Sequence, residues 1–200
     1  MPQESERVEV LDDLKEAVRV FQKCKQCSLL MPEVRMNLVY SINNPKTIKD
    51  VAAVDGRITV VKDYPKAAGE VIFGASDHMA RLIVELKKYD PEVRAGINFK
   101  FDKKLLEYIA EYCAKRNMKL GRIDRTKEPV SVREENGMSM PWKVKNLVEE
   151  CGGIVPKIFY ETEGWGKEPL FVLVGKDPTS VVEKLLDITG GYIQWMKTQG

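Results

Sequence analysis

Apolar residues at helical spacing predict five helices along this chain. Leu11, Leu14, Val18 and Phe21 share one face of a helix over residues 9–27. Four further helices are predicted from the same spacing, over residues 77–88, from Asp102 to Cys113, over residues 141–151, and from Asp177 to Gly190. Aspartate is a good N-cap and glycine a frequent helix stop, which supports the ends of these segments.

Short apolar runs, several of them alternating, predict strands between the helices. They cover residues 34–42, 58–61, 70–74, 95–101, 118–123, 154–160 and 170–174. Residues 124–140 are polar and rich in turn-forming residues, which indicates a loop. Since strands and helices alternate in the second half of the chain, the predicted fold is α/β, a single domain with a mixed β-sheet sandwiched by helices.

Charge balance and the length of apolar runs argue against two classes of partner, nucleic acid and membrane. Lys and Arg number 32 against 30 Asp and Glu, a net charge of +2, whereas nucleic-acid-binding modules usually carry a strong basic excess. No apolar run has the length of a membrane span, and the acidic N-terminal residues are unlike a signal peptide. We therefore expect neither nucleic acid nor membrane as a partner, and a cytoplasmic location.

The cysteines include one pair at CxxC spacing, Cys24 and Cys27. This spacing occurs in zinc and redox sites. A zinc site would need two more ligands, and neither a second CxxC nor a nearby histidine provides them. A redox CxxC usually begins a helix after a strand, whereas this one ends a helical pattern. We interpret the thiols as structural or incidental and predict no metal-ligating residues.

The stretch from Val71 to Arg81 is the strongest candidate for a binding site. It is predicted to contain a strand, a small-residue turn and the first turn of a helix, an arrangement that leaves backbone N–H groups free for an anion. Gly74 and Ala75 let a ligand approach the backbone, and Ser76 or Asp77 can cap the helix. The stretch also holds the single histidine of the chain, His78, although a lone histidine early in a helix is more often a surface residue or a satisfied polar one.

Other polar residues fall at predicted strand ends or in turns, where α/β proteins place their sites. They include Arg35 and Asn37, Arg57, Asn98, Asp124 and Arg125, and Lys167 with Glu168. Each has an ordinary alternative explanation, such as a solvated turn or an exposed ion pair. The sequence contains no Walker A, GxGxxG, GxSxG or HExxH motif. The residues alone therefore indicate an α/β domain with an anion-binding pocket.

Several segments together resemble the ThiN-type thiamine-phosphate synthase domain. They are MPEVRMNLVYSI (31–42), DVAAVDGRI (50–58), FGASDHMAR (73–81), YDPEVRAGINFKF (89–101), IDRTKEP (123–129) and PKIFYETEGWGKEPLFVLVGKDP (156–178). They occur in the family's order over about 150 residues, and the set is more specific than any member. The resemblance implies a domain over residues 29–200, with residues 1–28 as an N-terminal helix or linker.

The resemblance also implies a reaction and its residues. Hydroxymethylpyrimidine diphosphate and thiazole phosphate would condense to thiamine phosphate with release of diphosphate. The family's catalytic arginine and histidine match Arg57 and His78. The predicted substrate-binding residues are Asn37, Gly74, Ala75, Ser76, Asp77, Asn98, Asp124, Arg125 and Lys167. Mg²⁺ is expected as a cofactor carried with the diphosphate, its ligands coming largely from substrate and water.

Two other functions remain open from the sequence. Related domains fused to a helix-turn-helix act as thiamine-phosphate sensors, but this chain has no obvious helix-turn-helix and retains the histidine. The second is an interaction module with a structural His78, for which a buried apolar site around residues 73–81 would be expected. In many relatives a hydroxymethylpyrimidine kinase domain precedes this one, so fusion to a kinase is also open, as is a homodimer.

Overall fold

The fold is described by a computed structural model that covers residues 2–134, 137–164 and 166–199. The α-helices in these ranges are α1 (Pro2–Phe21), α2 (His78–Leu86), α3 (Lys103–Ala114), α4 (Val130–Glu134), α5 (Ser139–Glu150) and α6 (Pro178–Gln199). The strands are β1 (Leu38–Ser41), β2 (Val51–Val54), β3 (Ile58–Val61), β4 (Tyr64–Ala67), β5 (Val71–Phe73), β6 (Ala95–Lys100), β7 (Leu120–Ile123), β8 (Ile158–Glu161) and β9 (Leu170–Gly175).

One mixed sheet organises the molecule, with strand order β5-β2-β1-β6-β9-β8-β7. β7 and β8 are parallel, and the other neighbouring pairs are antiparallel. β3 and β4 form a separate hairpin. Successive side chains of a strand point to opposite faces, and in β1 Leu38 packs with α1, α3 and α6 while Val39 packs with α2 and α5. Both faces of the sheet are therefore covered, which confirms the predicted α/β sandwich.

The N-terminal helix is longer at its start and shorter at its end than predicted. It begins at Pro2 because the polar residues before Leu11 include several good helix formers. It ends at Phe21, and Lys25–Leu30 form a 3₁₀-helix instead of continuing it. α1 buries its apolar face in the same core as β1. The predicted domain boundary between residues 28 and 29 stays a prediction.

The last helix continues through its predicted stop at Gly190 and reaches Gln199. A glycine inside a helix costs about 1 kcal/mol relative to alanine. Buried residues on both sides of it, among them Leu185, Ile188 and Tyr192, pack against the core. Packing of this apolar face outweighs the cost of one glycine.

Two strands were not predicted. β2 has the sequence Val-Ala-Ala-Val. It is buried on both faces, so apolar and polar residues do not alternate along it. Its two alanines also have a low strand propensity. β4 contains Pro65, which is tolerated because its hairpin has only two strands. The predicted loop over residues 124–140 is also wrong in part, since it contains a 3₁₀-helix at Arg125–Lys127, α4 and the start of α5; residues 135–136 lie outside the described ranges.

None of the described helices combines the length and the apolar character needed to cross a membrane. The cysteines are present as free thiols. Burial raises the pKa of the Cys113 thiol to about 11, and Cys27 is fully buried with its sulfur 3.6 Å from Thr189 Oγ1. Buried thiols of this kind are unreactive.

Two glycines give opposite expectations for stability. In Gly121→Ala, the new Cβ would lie 2.5 Å from Pro156 Cγ and 2.6 Å from Leu147 Cδ1, so the free energy of unfolding should fall by about 1–3 kcal/mol. In Gly190→Ala, a new Cβ would meet no described atom within 4 Å, and the gain in helix propensity should raise it by about 0.5–1 kcal/mol. Urea denaturation of both variants measures the difference, and shifts of the same sign would contradict this account of the packing.

Candidate active site

A cleft of about 220 Å³, the first cleft, opens where the loops before β1, after β5 and between β8 and β9 meet. Seven of the predicted site residues line it, namely Asn37, Arg57, Ser76, His78, Asn98, Arg125 and Lys167. Residues far apart in sequence thus come together at one place. A cleft lined by cationic and polar groups is not the buried apolar site that an interaction module would require.

A second cleft, of about 580 Å³, adjoins the first and shares His78 and Lys167 with it. Asp77, Arg81 and Lys143 are among its other lining residues. His78 and Lys167 therefore stand where the two clefts meet. No ion pair of Lys167 is found within the described part of the chain.

Two arginines of the first cleft have strained backbones. Arg35 and Arg57 have φ angles of 69° and 70°, in the left-handed region that non-glycine residues seldom adopt. The Nη1 group of Arg57 donates a hydrogen bond of 2.5 Å to the carbonyl oxygen of Val34. Strained residues of this kind cost about 1–3 kcal/mol and cluster at functional sites. Two such arginines on one cleft support its role in binding.

Asn37 and Asn98 line the cleft but use their amides on the backbone. Asn98 Oδ1 accepts from Asn37 N at 2.8 Å, and Asn98 Nδ2 donates to Arg35 O at 3.0 Å. The Asn37 amide bonds both backbone groups of Val54. Both side chains thus hold the segment that carries Arg35, and their predicted contact with substrate stays a prediction.

The start of α2 differs from the predicted cap. Asp77 occupies the N-cap position, but neither its side chain nor another caps the helix, because its φ and ψ are already helical. The Asp77 carboxylate instead accepts from Arg81 Nε at 2.8 Å. The backbone N–H groups of the first turn are thus left without a side-chain cap, as an anion site requires. Ser76 lies on the first cleft.

A buried carboxylate lies beneath the two clefts. Glu161, at the end of β8, is 1% exposed, and its Oε1 lies 3.0 Å from His78 Nε2. Its Oε2 accepts from Arg125 Nε at 2.9 Å and from Lys143 Nζ at 3.0 Å. Arg125 and Lys143 are themselves buried. One carboxylate thus faces two basic side chains, so the cluster carries more basic than acidic groups even without His78.

The groups that surround Glu161 decide its ionisation. Burial, the largest influence, acts to raise the pKa of Glu161, but the opposing effects of His78, Lys143 and Arg125 together hold that pKa well below its usual value. Glu161 is therefore a carboxylate at neutral pH, and it can only accept hydrogen bonds.

Three predicted residues lie on neither cleft. Gly74 has a φ of 80°, and its N–H donates to Val51 O at 3.0 Å, so it forms the turn before α2 together with Ala75. Asp124 accepts from Thr126 N at 3.1 Å and caps the 3₁₀-helix of residues 125–127. Their substrate contacts stay predictions, and the structure gives Gly74 and Asp124 backbone roles.

The predicted substrate-binding set omitted five charged residues that the structure places at or beneath the clefts: Arg35, Arg81, Lys143, Glu161 and Glu168. Arg35 and Glu168 were noted only as polar residues at strand ends or in turns. A signal existed for Lys143, since it lies among the buried apolar residues Met140, Val144 and Leu147 of α5. A lysine on the apolar face of a helix is seldom buried unless it is paired. Glu161 gave a similar but weaker signal, because it is a charged residue that directly follows the short apolar run Ile158-Phe159-Tyr160 of a strand.

Comparisons with known proteins point to one family. The family model for thiamine-phosphate synthase ThiN matches residues 13–187. Thiamine-phosphate synthase ThiN of Methanothermobacter thermautotrophicus is 35% identical over 182 residues, which are 91% of this chain and 93% of that protein. The bifunctional thiamine biosynthesis protein ThiDN of Methanocaldococcus jannaschii is 36% identical over 177 residues, 88% of this chain but 39% of that protein.

A solved structure is similar over nearly the whole chain. The crystal structure of the C-terminal domain of phosphomethylpyrimidine kinase superposes with a TM-score of 0.85 at 35% identity and covers 92% of this chain and 100% of that one. Fold and clefts define an α/β domain with a cationic site at its strand ends. The family match and the identities go further: the chain belongs to the thiamine-phosphate synthase ThiN family.

Proposed function

We propose that this protein is a thiamine-phosphate synthase, which joins hydroxymethylpyrimidine diphosphate to thiazole phosphate and releases diphosphate. The observation that carries the proposal is the pair of clefts that meet at His78 and Lys167. A condensation of two phosphorylated molecules needs two neighbouring anion sites with a shared reactive region. Membership of the family supports the same reaction.

The proposed reaction moves one electron pair away from the pyrimidine and another toward it. The bond between the pyrimidine methylene carbon and the diphosphate oxygen breaks, and its electron pair leaves with the diphosphate. The thiazole nitrogen donates its lone pair to the same carbon, which completes thiamine phosphate. The negative charge of the leaving group increases during this step, so cations that are already in place stabilise the transition state more than the substrates.

The cleft residues supply those cations. Arg57 is positioned by its bond to Val34 O and is proposed to hold a phosphate through two parallel hydrogen bonds. His78 is proposed to donate to the diphosphate as it leaves. Lys167 lines both clefts and is proposed to contact a phosphate group of one of the two substrates. The start of α2 adds uncapped backbone N–H groups.

Mg²⁺ is proposed to enter with the diphosphate substrate. Among the described residues, no three His, Cys, Asp or Glu side chains are grouped so as to hold a metal ion. Glu161 is engaged by cations, and Glu168 accepts from the backbone N–H groups of Glu33 and Val34. The donors in the described ranges therefore do not form a metal site, and no step is assigned to Mg²⁺. Unchanged activity in excess chelator would remove Mg²⁺ from the proposal.

The coupled assay is the direct test of the activity. Purified protein is mixed with both substrates and Mg²⁺, and thiamine phosphate is read as fluorescent thiochrome. We expect product that requires both substrates and that disappears in His78→Ala. If no product forms and calorimetry shows tight binding of thiamine phosphate, the proposed function changes from synthase to sensor. The described residues offer no specific support for a sensor.

Domain fusion, oligomeric state, location and partners are proposals as well. The bifunctional relative is more than twice as long as this chain, which supports fusion of such a domain to a kinase in some proteins. We also propose that the protein is cytoplasmic and forms a homodimer. Phosphorylated small molecules are proposed as its partners. Sedimentation of the purified protein tests the homodimer.

A further inference from the structure

Glu161 has a geometry that its burial alone does not explain. Its two oxygens have separate partners: Oε2 faces the cations Arg125 and Lys143, whereas Oε1 faces His78 Nε2 at 3.0 Å. Glu161 lies on neither cleft, while His78 lies on both. The imidazole thus has one nitrogen turned toward the buried carboxylate, and its other nitrogen, Nδ1, has no partner within the described residues.

The carboxylate fixes the position of the ring proton. An ionised carboxylate can only accept hydrogen bonds, so the contact at 3.0 Å requires a proton on Nε2. In a neutral imidazole the other nitrogen then carries the lone pair. In an imidazolium both nitrogens are protonated, and the negative charge of Glu161 balances the added positive charge.

We propose that Glu161 is a positioning residue that holds the proton on Nε2 of His78, so that Nδ1 is the nitrogen presented to the substrates, and that Arg125 and Lys143 hold Glu161 in the orientation this requires. The catalytic part of the inference rests on the proposed function. The tautomer of His78 does not, because it follows from the protein alone. During the condensation Nδ1–H of a protonated His78 donates to the departing diphosphate, and no proton leaves the ring.

The two cations make the effect of one substitution specific. In Glu161→Gln the amide oxygen is drawn to the Oε2 position, because Arg125 and Lys143 both donate there. The amide nitrogen then occupies the Oε1 position and donates to His78 Nε2. Nε2 must now accept, so the proton of the neutral ring moves to Nδ1. A substitution of one oxygen by an NH₂ group therefore inverts the tautomer.

His78 is the single histidine of the chain, so labelling histidine with ¹⁵N gives a spectrum of one residue. Long-range ¹H–¹⁵N correlation at a pH where the ring is neutral reports which nitrogen carries the proton. We expect Nε2–H in the natural protein and Nδ1–H in Glu161→Gln, with Nε2–H restored in Glu161→Asp. A proton on Nδ1 in the natural protein would overturn the proposal, as would an unchanged tautomer in folded Glu161→Gln.

Two further variants keep the test decisive. Glu161→Gln leaves two buried cations without their counter-charge, so it is also prepared together with Lys143→Met, which restores the net charge of the cluster. Arg125 still donates to the Oε2 position in that double variant, so the inverted tautomer is again expected. Glu85→Gln is the matched control, since it removes a buried carboxylate from the same helix as His78 but one that pairs with Lys88. It should leave the spectrum and turnover unchanged.

Kinetics separate positioning from mere structural support. Loss of the carboxylate that orients a catalytic histidine lowers kcat by up to about 10⁴-fold in other enzymes. We expect Glu161→Gln to lower kcat at least about 10²-fold, because its amide cannot balance the positive charge of the imidazolium that donates from Nδ1, even though its neutral ring still carries a proton there. KM for either substrate should change little in this variant. The double variant with Lys143→Met should show the same loss of kcat, and its KM is left out of the comparison because Lys143 lines the second cleft. An inverted tautomer with normal kcat would overturn the catalytic part. A natural protein with Nε2–H but no synthase activity would instead contradict the proposed function.

Discussion

Replacement of His78 by alanine is expected to lower turnover by at least about 10²-fold without unfolding the protein. The side chain is 43% exposed, so its removal leaves little cavity in the core. Alanine is also well tolerated at the start of a helix. The loss should affect the reaction because His78 stands between the two clefts, where the proposed reaction brings the leaving diphosphate and the incoming thiazole together. Initial rates by thiochrome fluorescence measure kcat and KM.

Two isosteric changes divide the role of the imidazole between its nitrogens. His78→Gln places an amide nitrogen near the position of Nε2 and can still donate to Glu161, but it offers nothing at Nδ1. His78→Asn does the reverse. Since Nδ1 is the nitrogen proposed to face the substrates, His78→Gln should retain the stability of the natural protein and still lose turnover. Normal turnover in His78→Gln would contradict a catalytic Nδ1.

Arg57→Ala should lower turnover by a similar factor, because one pre-positioned donor to a developing anion contributes about 10²–10³-fold. Arg19→Ala is the matched control. Arg19 is exposed on α1 and pairs with Glu16 at 2.5 Å, away from both clefts. Its exposed pair contributes little to stability, so its kinetics and stability should match those of the natural protein. Near-normal rates in both His78→Ala and Arg57→Ala would refute the assignment.

Loss of the Glu161 charge should produce the largest change in stability. Removal of one partner from a buried ion pair costs about 3–5 kcal/mol, because the remaining charge is left uncompensated. In Glu161→Leu, both Arg125 and Lys143 lose their carboxylate. Glu149→Gln is the control on the surface, where Lys145 lies 3.8 Å away and both side chains are about two-thirds exposed. It should cost less than 1 kcal/mol by urea denaturation.

The same charge makes stability depend on pH. The pKa of Glu161 is lower in the native protein than its usual value of 4.5. A carboxyl of this kind stabilises the native state above its unfolded pKa, and the contribution is lost as the pH falls through the native pKa. Stability should therefore decline below about pH 4.5 in the natural protein and decline less in the Lys143→Met/Glu161→Gln double variant. Parallel curves for the two proteins would show that Glu161 is not responsible.

The fold could be read from periodicity where an element was amphipathic. The helix from Asp102 is confirmed together with its cap, in which Asp102 Oδ1 accepts from Leu105 N at 2.8 Å. β2 was missed because both of its faces are buried and its alanines give no strand signal. α6 was predicted too short because the cost of Gly190 is local, whereas the packing that overcomes it comes from the rest of the domain.

In the candidate site, too, some features follow from a local sequence pattern and others depend on the tertiary structure. The turn before α2, with its free N–H groups, follows from a local pattern of strand, glycine and helix. Arg57 and His78 were assigned through resemblance, and the structure brings both to one cleft. Asp77 does not cap α2 because its φ and ψ are already helical, and its carboxylate pairs instead with Arg81 one helical turn later. That competition depends on side-chain geometry and leaves no mark in the spacing of apolar residues.

By itself, the sequence determined the α/β class, the helices and most strands, the family and the turn that begins α2, since all of these depend on local pattern or on motifs in a fixed order. Only the tertiary structure decided that Glu161 lies beneath His78, 83 residues earlier in the chain, and shares Lys143 and Arg125 as partners. The physical reason is burial: a charge can stay inside a protein only where opposite charges converge on it. Which charges converge depends on how the strands and helices pack, because no local stretch of this chain contains all four residues.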